Sequence, residues 1–371
     1  MKKDIVHIYH GTQGSGGLYT HEIYSELKSK GFSQEAFLSY YYPFKYGKRI
    51  FFRYTDLASG VSKSKFRIYL RGIELIFGLL YSYLYIIINR PKIVNYSLIS
   101  SYISDYVFLK LIKSTSNSRI IITCHDVIPF GESKDSILKQ ISIRKKILKY
   151  ADYFLVHNEN SIKDLKEVFN ISYDKIFYHP FPLMDLNKIN NNQNLNIQKD
   201  YDFAFLGHLR DSKGVDLLID AWKMFHQKFP DAKLLLAGNL PDGSKLKIDN
   251  LESQNIYTHI KYLSDDDYFG FLNKSRSIIL PYRSGTNSGV LYNLLTMNVN
   301  IIYSDISMFT NNPLLNEKGK FKAGDAYSLY EKICEYYSYN RPQENYKLDQ
   351  YKEKFSEGVI DVYRNILNIK I

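Results

Sequence analysis

Phe205 to Trp222 reads FLGHLRDSKGVDLLIDAW, a stretch in which a strand ends in glycine and two cations precede a helix. The apolar run before Gly207 predicts a buried strand, and the apolar spacing after Lys213 predicts a helix. Arg210 and Lys213 then lie at a helix N-terminus, where backbone N–H groups and the helix dipole favour an anion. Each charge-assisted hydrogen bond there adds roughly 1.5–3 kcal/mol, so the stretch predicts a diphosphate site.

Taken alone, the same residues also fit an ordinary strand-to-helix turn with two solvated charges. A second glycine-rich turn supports the ligand-binding interpretation. The segment GTQGSGGLYTHEIYSEL follows the first strand and places Gly14, Gly16 and Gly17 before an amphipathic helix. Two such turns predict two nucleotide-type folds in one chain.

The composition is typical of a soluble α/β protein with more than one core. The chain has 371 residues, 45% of them hydrophobic, which suits two domains. The N-terminal residues run directly into a strand and a glycine turn without an apolar secretory segment, so a cytoplasmic protein is expected. The two cysteines, Cys124 and Cys334, are too few for a disulfide framework.

The net charge of +11 raises the question of an acidic partner. Lysine is abundant throughout, no nucleic-acid-binding module is recognisable, and the 34 tyrosines are scattered, so no nucleic-acid partner is predicted. Cations are densest from Lys45 to Arg71, before the apolar segment Gly72–Ile88. That segment is shorter than the roughly 20 residues of a spanning helix and contains Glu74, which favours a core helix of the first domain. The neighbouring basic stretch predicts peripheral contact with an anionic membrane.

Strands and helices alternate along both halves of the chain, which is typical of parallel sheets covered on both faces. The predicted fold class is α/β, with two Rossmann-like domains facing each other across a cleft. We expect an N-terminal domain over residues 1–185, a linker over 186–200 and a C-terminal domain over 201–345. The predicted strands are IVHIY, AFLSY, KIVNYS, RIIITCHD, YFLVHN and KIFYHP, then YDFAFLG, AKLLLAG, IYTHIKYL, SIILPY and NIIYSD.

Ligands of open parallel sheets bind beyond the carboxyl ends of the strands, and this rule selects the turns that follow them. His125 and Asp126 follow the strand RIIITC. The imidazole of His125 is placed to hydrogen-bond a sugar or a phosphate, although histidine at a strand end is also a common structural group. Asp126 equally fits a cap of the following segment.

The turn RSGTNSGV, which follows the strand SIILPY, predicts a second anion-binding helix start. N–H groups of Ser288, Gly289 and Val290 are expected to hold a diphosphate from the side opposite Arg210 and Lys213. Small polar residues are also what any tight turn uses. The turn comprises Gly285, Thr286, Asn287, Ser288, Gly289 and Val290.

Asp265, Asp266 and Asp267 resemble an acidic metal site. Ser264 precedes them as an N-cap, however, and three acids in the first turn of a helix are explained by the helix dipole. We therefore expect no metal and no cofactor, with the charge of the diphosphate met by protein cations.

Together these segments resemble the nucleotide-sugar glycosyltransferases of the two-domain GT-B fold, especially the family 4 (group 1) retaining enzymes of bacterial polysaccharide assembly. By this resemblance, Arg210 and Lys213 bind the donor diphosphate, Gly16 and Gly17 approach the phosphate or reacting sugar, and His125 touches the donor sugar. The resemblance spans nearly the whole chain and rests on GSGG, TCHD, VHNENSIKDL, the HP of IFYHPF, GHLRDSKGVDLLIDAW, LLLAG and LPYRSGTNSGVLYNLLTMNVNIIYSDI.

The chain departs from the family pattern at three positions. The two glutamates that the family places around the last turn fall on Gly285 and Asn293, and His208 stands where arginine is common. Asn293 is expected to hydrogen-bond the donor ribose, and Arg210 to supply the missing cation.

The resemblance implies a first domain that binds the acceptor, a second that binds the donor, and a C-terminal helix at 346–371 that packs back towards the first. The implied reaction is a metal-independent, retaining transfer from a UDP- or GDP-sugar to a saccharide or lipid-linked oligosaccharide in cell-surface polysaccharide synthesis. Its catalytic residues are His125, Arg210 and Lys213, and Asp126 joins the donor-binding set. The expected location is the cytoplasm, at the inner face of the membrane. The alternatives are a non-catalytic nucleotide-sugar-binding or scaffold subunit and a sugar-nucleotide epimerase or hydrolase.

Overall fold

The chain divides into two compact units, Met1–Pro182 with Gln350–Ile371 and Leu183–Asp349. Gly14, Thr286, Asn287 and most of the predicted linker lie outside the residues that the structure describes. The computed structural model describes residues 3–12, 16–42, 46–55, 65–97, 99, 103–128, 134–183, 198–241, 244, 246, 251–285, 288–339 and 346–368.

The first unit contains a seven-stranded parallel sheet in the order β3-β2-β1-β4-β5-β6-β7. Its inner strands are almost wholly buried, which explains their unbroken runs of Ile and Val. The strands are β1 Ile5–Tyr9, β2 Gln34–Ser39, β3 Lys48–Phe51, β4 Ile93–Tyr96, β5 Arg119–Thr123, β6 Tyr153–Val156 and β7 Ile176–Tyr178. The helices between them are α1 Gly16–Ser29, α2 Lys65–Asn89, α3 Ile103–Thr115, α4 Lys134–Leu148 and α5 Glu159–Glu167.

The second unit contains a six-stranded parallel sheet in the order β10-β9-β8-β11-β12-β13. Trp222, Phe203 and Phe225 pack together at its core. The strands are β8 Tyr201–Leu206, β9 Leu234–Ala237, β10 Ile256–His259, β11 Ser275–Leu280, β12 Asn300–Ser304 and β13 Lys320–Phe321. The helices are α6 Val215–Lys228, α7 Asp265–Asn273, α8 Gly289–Thr296, α9 Ser307–Thr310 and α10 Ala326–Ser338.

The last helix, α11 Leu348–Asn368, packs on the first unit. The hydroxyl of Tyr351 donates to the carbonyl of Phe181 at 2.9 Å. Near the other end of α11, the guanidinium of Arg119 on β5 donates to the carbonyl of Ile366. These bonds fix both ends of α11 to the unit that contains the start of the chain.

The predicted class of two parallel α/β sheets is confirmed, and each predicted strand has a counterpart. Two observed strands were not predicted. Strand β3 lies at the edge of its sheet and exposes Lys48 and Arg49, so it lacks the apolar run of a buried strand. Strand β13 has two residues, too few for a periodic pattern. The strand predicted from IYTHIKYL ends early, at His259.

Helix α2 corrects the prediction of a core helix over Gly72–Ile88. It begins at Lys65, spans 25 residues, and is long and apolar enough to cross a membrane by length and composition. Only 22% of its apolar stretch is buried. Leu79 and Ile86 join the core of the first sheet, whereas Phe77 remains 66% exposed. The prediction was wrong because an apolar run does not show how many faces of a helix the rest of the protein covers.

Candidate functional site

The two predicted anion-binding turns of the second unit lie side by side. Strands β8 and β11 are parallel neighbours, with Phe203 opposite Ser277. The strand order of the sheet reverses between these two strands, and their carboxyl ends therefore border the position where open α/β sheets bind ligands. Arg210 and Lys213 follow β8, and the residues from Arg283 to Val290 follow β11.

Glycines shape the turn after β8. Gly207 and Gly214 have φ values of 141° and 63°, which side chains rarely adopt. A Cβ on Gly214 would lie 2.0 Å from the carbonyl oxygen of Pro281, just after β11. Gly214 therefore allows the two turns to approach each other, and α6 begins immediately after it.

An ion pair joins the same two turns. Nη1 and Nη2 of Arg283 each lie 2.6 Å from a different carboxylate oxygen of Asp216, in the first turn of α6. Nη1 also donates to the carbonyl of Asp211 at 2.9 Å, and the backbone N–H of Arg283 donates to the carbonyl of Ser212 at 2.9 Å. Hydrogen bonding from Arg283 lowers the pKa of Asp216, so the pair is ionised at neutral pH.

Lys213 rests on an aromatic ring from the facing turn. Its Nζ lies 3.5 Å from the ring centroid of Tyr282, a distance suited to a cation–π interaction. Burial raises the pKa of Tyr282 to about 12, and a hydrogen bond with the side chain of Ser288 opposes this shift. Tyr282 thus contacts a predicted phosphate-binding cation on one side and the N-cap of α8 on the other.

Positive charge is concentrated in the turn after β8. Arg210 is exposed and Lys213 partly exposed. Burial lowers the pKa of His208, and the charges of Arg210 and Lys213 lower it further. Arg210 and Lys213 therefore lie close enough to each other and to His208 for their charges to act on one region, and two neighbouring cations suit an anion.

The turn after β11 ends at the predicted helix. Ser288 caps α8 by accepting a hydrogen bond from the backbone N–H of Leu291 at 3.5 Å. The first turn of this helix contains Gly289 and Val290, whose N–H groups lie outside the helical hydrogen-bond ladder. Gly285 faces Met308, whose sulfur would lie 3.2 Å from an added Cβ.

Asn293, on α8, carries an unused hydrogen-bond acceptor. Its Oδ1 is buried and has no partner within the described structure. Burial raises the pKa of the neighbouring phenol of Tyr268, and a hydrogen bond with the side chain of Asn293 opposes this shift. A buried acceptor left without a donor costs about 1–3 kcal/mol, so this atom is suited to a ligand hydroxyl.

In the first unit, His125 follows β5 as predicted and packs edge-on against Tyr19, with ring centroids 4.6 Å apart. Burial and the nearby His179 lower its pKa to about 4, and a hydrogen bond to the backbone of Ser97 opposes the shift. The imidazole is therefore neutral at pH 7. Its Nε2 is buried and has no partner among the described residues.

Arg144 of α4 supports the turn that contains His125 and Asp126. Its guanidinium donates to the carbonyl of Asp126 and, at 2.8 Å, to that of Val127. Arg144 is only 9% exposed. Sequence reasoning missed this residue because nothing in the pattern of α4 distinguishes one cation from its neighbours.

Gly16 and Gly17 form the start of α1, and aromatic rings occupy the space beside them. An added Cβ on Gly16 would lie 2.6 Å from the ring of Tyr9, and one on Gly17 would lie 2.3 Å from the ring of Tyr42. Packing against tyrosine is therefore a sufficient reason for glycine at both positions, separate from the predicted approach of a sugar or phosphate.

The N-cap predicted before the acidic triplet is confirmed. Ser264 precedes α7 and accepts a hydrogen bond from the backbone N–H of Asp267 at 3.1 Å. Within the residues that the structure describes, no three His, Cys, Asp or Glu side chains are arranged to hold a metal ion.

Comparison with known proteins finds similarity to glycosyltransferases. Residues 187–347, which include the whole of the β8 and β11 turns, match the model of the family described as glycosyl transferases group 1. An uncharacterized glycosyltransferase of Methanocaldococcus jannaschii is 25% identical over 206 residues. That match covers 53% of this chain, and the chain spans about half, 50%, of the relative's length.

Solved structures extend the similarity of fold to the whole chain. A glycosyltransferase from Rickettsia africae has a TM-score of 0.59 at 17% identity, with 100% of both chains covered. Sucrose-phosphate synthase from Thermosynechococcus elongatus has a TM-score of 0.62 at 14% identity, with 99% of this chain and 95% of that one covered. TarM has a TM-score of 0.67 at 9% identity, with 99% of each chain covered. The chain therefore has the GT-B glycosyltransferase fold, and its residues 187–347 carry the sequence pattern of the glycosyl transferases group 1.

Proposed function

We propose that this protein transfers a sugar from a nucleoside diphosphate-sugar to an acceptor hydroxyl. The proposal rests on one observation. The turn with Arg210 and Lys213 is joined to the turn before α8 by an ion pair and a cation–π contact, at the point where the strand order of the second sheet reverses. These turns lie within the segment that matches the group 1 family.

The proposed reaction breaks the bond between the anomeric carbon and the diphosphate and forms a bond from that carbon to the acceptor oxygen. The acceptor hydroxyl gives its proton to the leaving diphosphate. Arg210 and Lys213 stabilise the negative charge that develops, and the N–H groups at the start of α8 assist them. Because these groups meet the charge without a metal, the transfer is proposed to be metal-independent.

Other predicted residues have proposed roles around the same donor. Oδ1 of Asn293, a buried acceptor without a partner among the described residues, is assigned to a ribose hydroxyl. His125 is assigned to the transferred sugar, where a neutral imidazole can hydrogen-bond a hydroxyl without adding charge. Asp126, Gly16 and Gly17 are assigned to the donor by family resemblance, which also implies attack on the face from which the diphosphate leaves.

The finer proposal concerns substrates and location. The donor is proposed to be a UDP- or GDP-sugar, and the acceptor a saccharide or lipid-linked oligosaccharide of a cell-surface polysaccharide, at the inner face of the membrane. A structure of S. aureus TarM contains UDP, and one of starch synthase IV from Arabidopsis thaliana contains ADP. The fold thus accommodates different nucleotides.

A second candidate, a non-catalytic nucleotide-sugar-binding subunit, is favoured by one observation. Gly285 and Asn293 stand where the family pattern places glutamates. Without those carboxylates, the second unit could hold a nucleotide-sugar and present it to a partner enzyme.

A turnover assay separates these functions. Purified protein is incubated with UDP- and GDP-sugars and with saccharide and lipid-linked acceptors, with EDTA present, and both released diphosphate and labelled product are measured. Product formation that is lost in Arg210→Ala supports the transferase. A nucleotide-sugar that binds in a parallel calorimetric titration but is not turned over supports the subunit, whereas diphosphate release that needs no acceptor indicates a hydrolase.

A further inference from the structure

Helix α2 of the first unit presents a continuous apolar face to its surroundings. Phe66 is 71% exposed, Ile76 62%, Phe77 66% and Ile88 77%. The spacing of these residues, with the exposed Ile73, Leu80 and Leu84 between them, follows one side of a helix. Helix α3, which packs beside α2, adds Ile103, Val107 and Leu111 to the exposed apolar surface.

The opposite face of α2 is held by the sheet. Gly78 lies against Phe51 of β3, whose ring would be 2.3 Å from an added Cβ. Leu79, Ser82 and Ile86 are buried on the same side. A helix that spans a bilayer alone meets lipid on every side, whereas α2 has one side that is packed against protein. The geometry therefore suits a helix that lies in the plane of an interface.

Cations and tyrosines border the exposed face. The backbone N–H of Tyr54 donates to Glu74 of α2 at 2.7 Å, which places the exposed Arg53 next to the helix. Arg53 and Arg49 both stack on the ring of Tyr40, each 5.7 Å from its centroid. Lys48 lies 5.1 Å from the ring of Tyr85, on α2 itself. An apolar strip edged by Arg, Lys and Tyr is typical of membrane-surface helices.

We propose that this surface, termed the docking face, binds an anionic lipid membrane, with α2 lying flat in the headgroup region. The docking face consists of Phe66, Ile73, Ile76, Phe77, Leu80, Leu84 and Ile88 together with Arg49 and Arg53. The positive charge of the docking face favours a membrane, rather than a second copy of the chain, as its binding partner. A symmetric dimer through this face would bring the cations of β3 towards one another in a protein of net charge +11, whereas anionic lipid neutralises them.

The test is vesicle co-sedimentation, which needs no sugar donor and therefore fails or succeeds separately from the transferase proposal. The wild type is expected to sediment with phosphatidylglycerol-containing vesicles and to bind pure phosphatidylcholine vesicles less. Arg49→Gln with Arg53→Gln should weaken binding about fivefold for each cation, and added salt should weaken the wild type in the same way. Ile76→Ser with Phe77→Ser should weaken binding about tenfold or more, because buried apolar area is lost.

Matched controls lie on α4 of the same unit. Leu138→Ser removes a side chain that is 63% exposed, and Lys145→Gln with Lys146→Gln removes two exposed cations. Both controls should bind as the wild type does, and circular dichroism should show that every variant is folded. The proposal is overturned if anionic vesicles do not retain the wild type, or if the controls lose as much binding as the docking-face variants. Resistance to alkaline carbonate extraction would instead indicate a spanning helix. If the wild type is a dimer and Ile76→Ser with Phe77→Ser dissociates it, the docking face binds a second copy of the chain instead of a membrane.

Discussion

Arg283 and Asp216 form a bidentate ion pair, in which both nitrogen–oxygen distances are 2.6 Å. The pair joins the turn after β11 to the first turn of α6. The two residues lie 67 positions apart in the chain. Because Lys213 is three residues before Asp216, the pair fixes the segment in which the proposed phosphate-binding cations lie. Arg283 is therefore a positioning residue for the proposed donor site.

Substitution of either partner should weaken nucleotide binding more than it weakens the fold. Both side chains are partly exposed, so Asp216→Asn or Arg283→Lys should change the free energy of unfolding by about 1 kcal/mol or less. The dissociation constant for the nucleoside diphosphate should rise about tenfold, because the turn is no longer held in one alignment.

Asp220→Asn is the control for this pair, since it breaks the exposed ion pair of Asp220 with Lys223 on the same helix. It should leave the dissociation constant unchanged. Calorimetric titration and chemical denaturation provide the two readouts. A large loss of stability with unchanged binding would show that the pair of Arg283 and Asp216 serves only the fold.

Gly214→Ala should distort the proposed donor site, and Gly324→Ala provides a matched comparison. Both glycines have positive φ, 63° and 77°, but only an alanine at position 214 would meet a backbone oxygen, at 2.0 Å. Gly324→Ala should cost about 1 kcal/mol of stability from backbone strain alone. Gly214→Ala should cost clearly more and should reduce nucleotide binding. Equal costs, measured by denaturant unfolding, would contradict the close approach of the two turns.

His125→Asn should slow transfer while it leaves donor binding nearly unchanged. If His125 contacts the sugar as it departs, kcat should fall by about tenfold to a hundredfold. The pKa of His125 is lowered to about 4, so the wild-type rate should not fall through protonation of this group until the pH approaches that value. His226→Asn on α6 is the control. A rate profile with a limb near pH 6.5 that disappears in His125→Asn would contradict the neutral, buried imidazole.

The buried histidines of the first unit should make the protein sensitive to acid. The pKa values of His7, His125 and His179 are lowered to about 4, mainly by burial, and burial also holds the pKa of His157 well below its usual range. The unfolded chain binds these protons near pH 6.5, whereas the folded chain does not. Stability is therefore complete above about pH 6.5 and falls as the pH drops towards 4, by about 3 kcal/mol for a single histidine whose pKa moves from 6.5 to about 4.

His179→Gln isolates one of these groups. Tyr19 donates to Nε2 of His179 at 3.0 Å, and Nδ1 donates to the carbonyl of Pro180 at 2.8 Å. A glutamine can replace the acceptor but cannot take up a proton. Between pH 6.5 and 4, the free energy of unfolding should change less steeply with pH in His179→Gln than in the wild type. The difference in slope should be about 1.4 kcal/mol per pH unit. An unchanged slope would show that His179 does not contribute to the acid response, and His226→Gln is the control.

The parts of the fold that sequence reasoning found are those that short-range patterns determine. The buried strand β8, Gly207, the helix after Lys213 and the cap at Ser264 each lie within one local segment, where apolar spacing and capping preferences are sufficient. The same reasoning placed Arg210 and Lys213 beside the turn before α8, because parallel strands align their carboxyl ends.

The parts that it missed depend on contacts between distant segments. Arg283 and Arg144 are cations in unremarkable local settings, and only the folded chain shows that they reach Asp216 and the turn after His125. The exposure of α2 was missed for a related reason, because the burial of a helix face depends on which other elements pack against it.

The most direct test of the donor site is calorimetric titration of UDP, GDP and ADP, with EDTA present, into the wild type, Arg210→Ala and Lys213→Ala. Lys223→Ala, which removes an exposed cation of α6, is the control. One diphosphate should bind the wild type and the control selectively, and each site variant should bind about tenfold to a hundredfold more weakly. If no diphosphate binds, or if Arg210→Ala and Lys213→Ala bind as tightly as the wild type, the donor site is not at this turn.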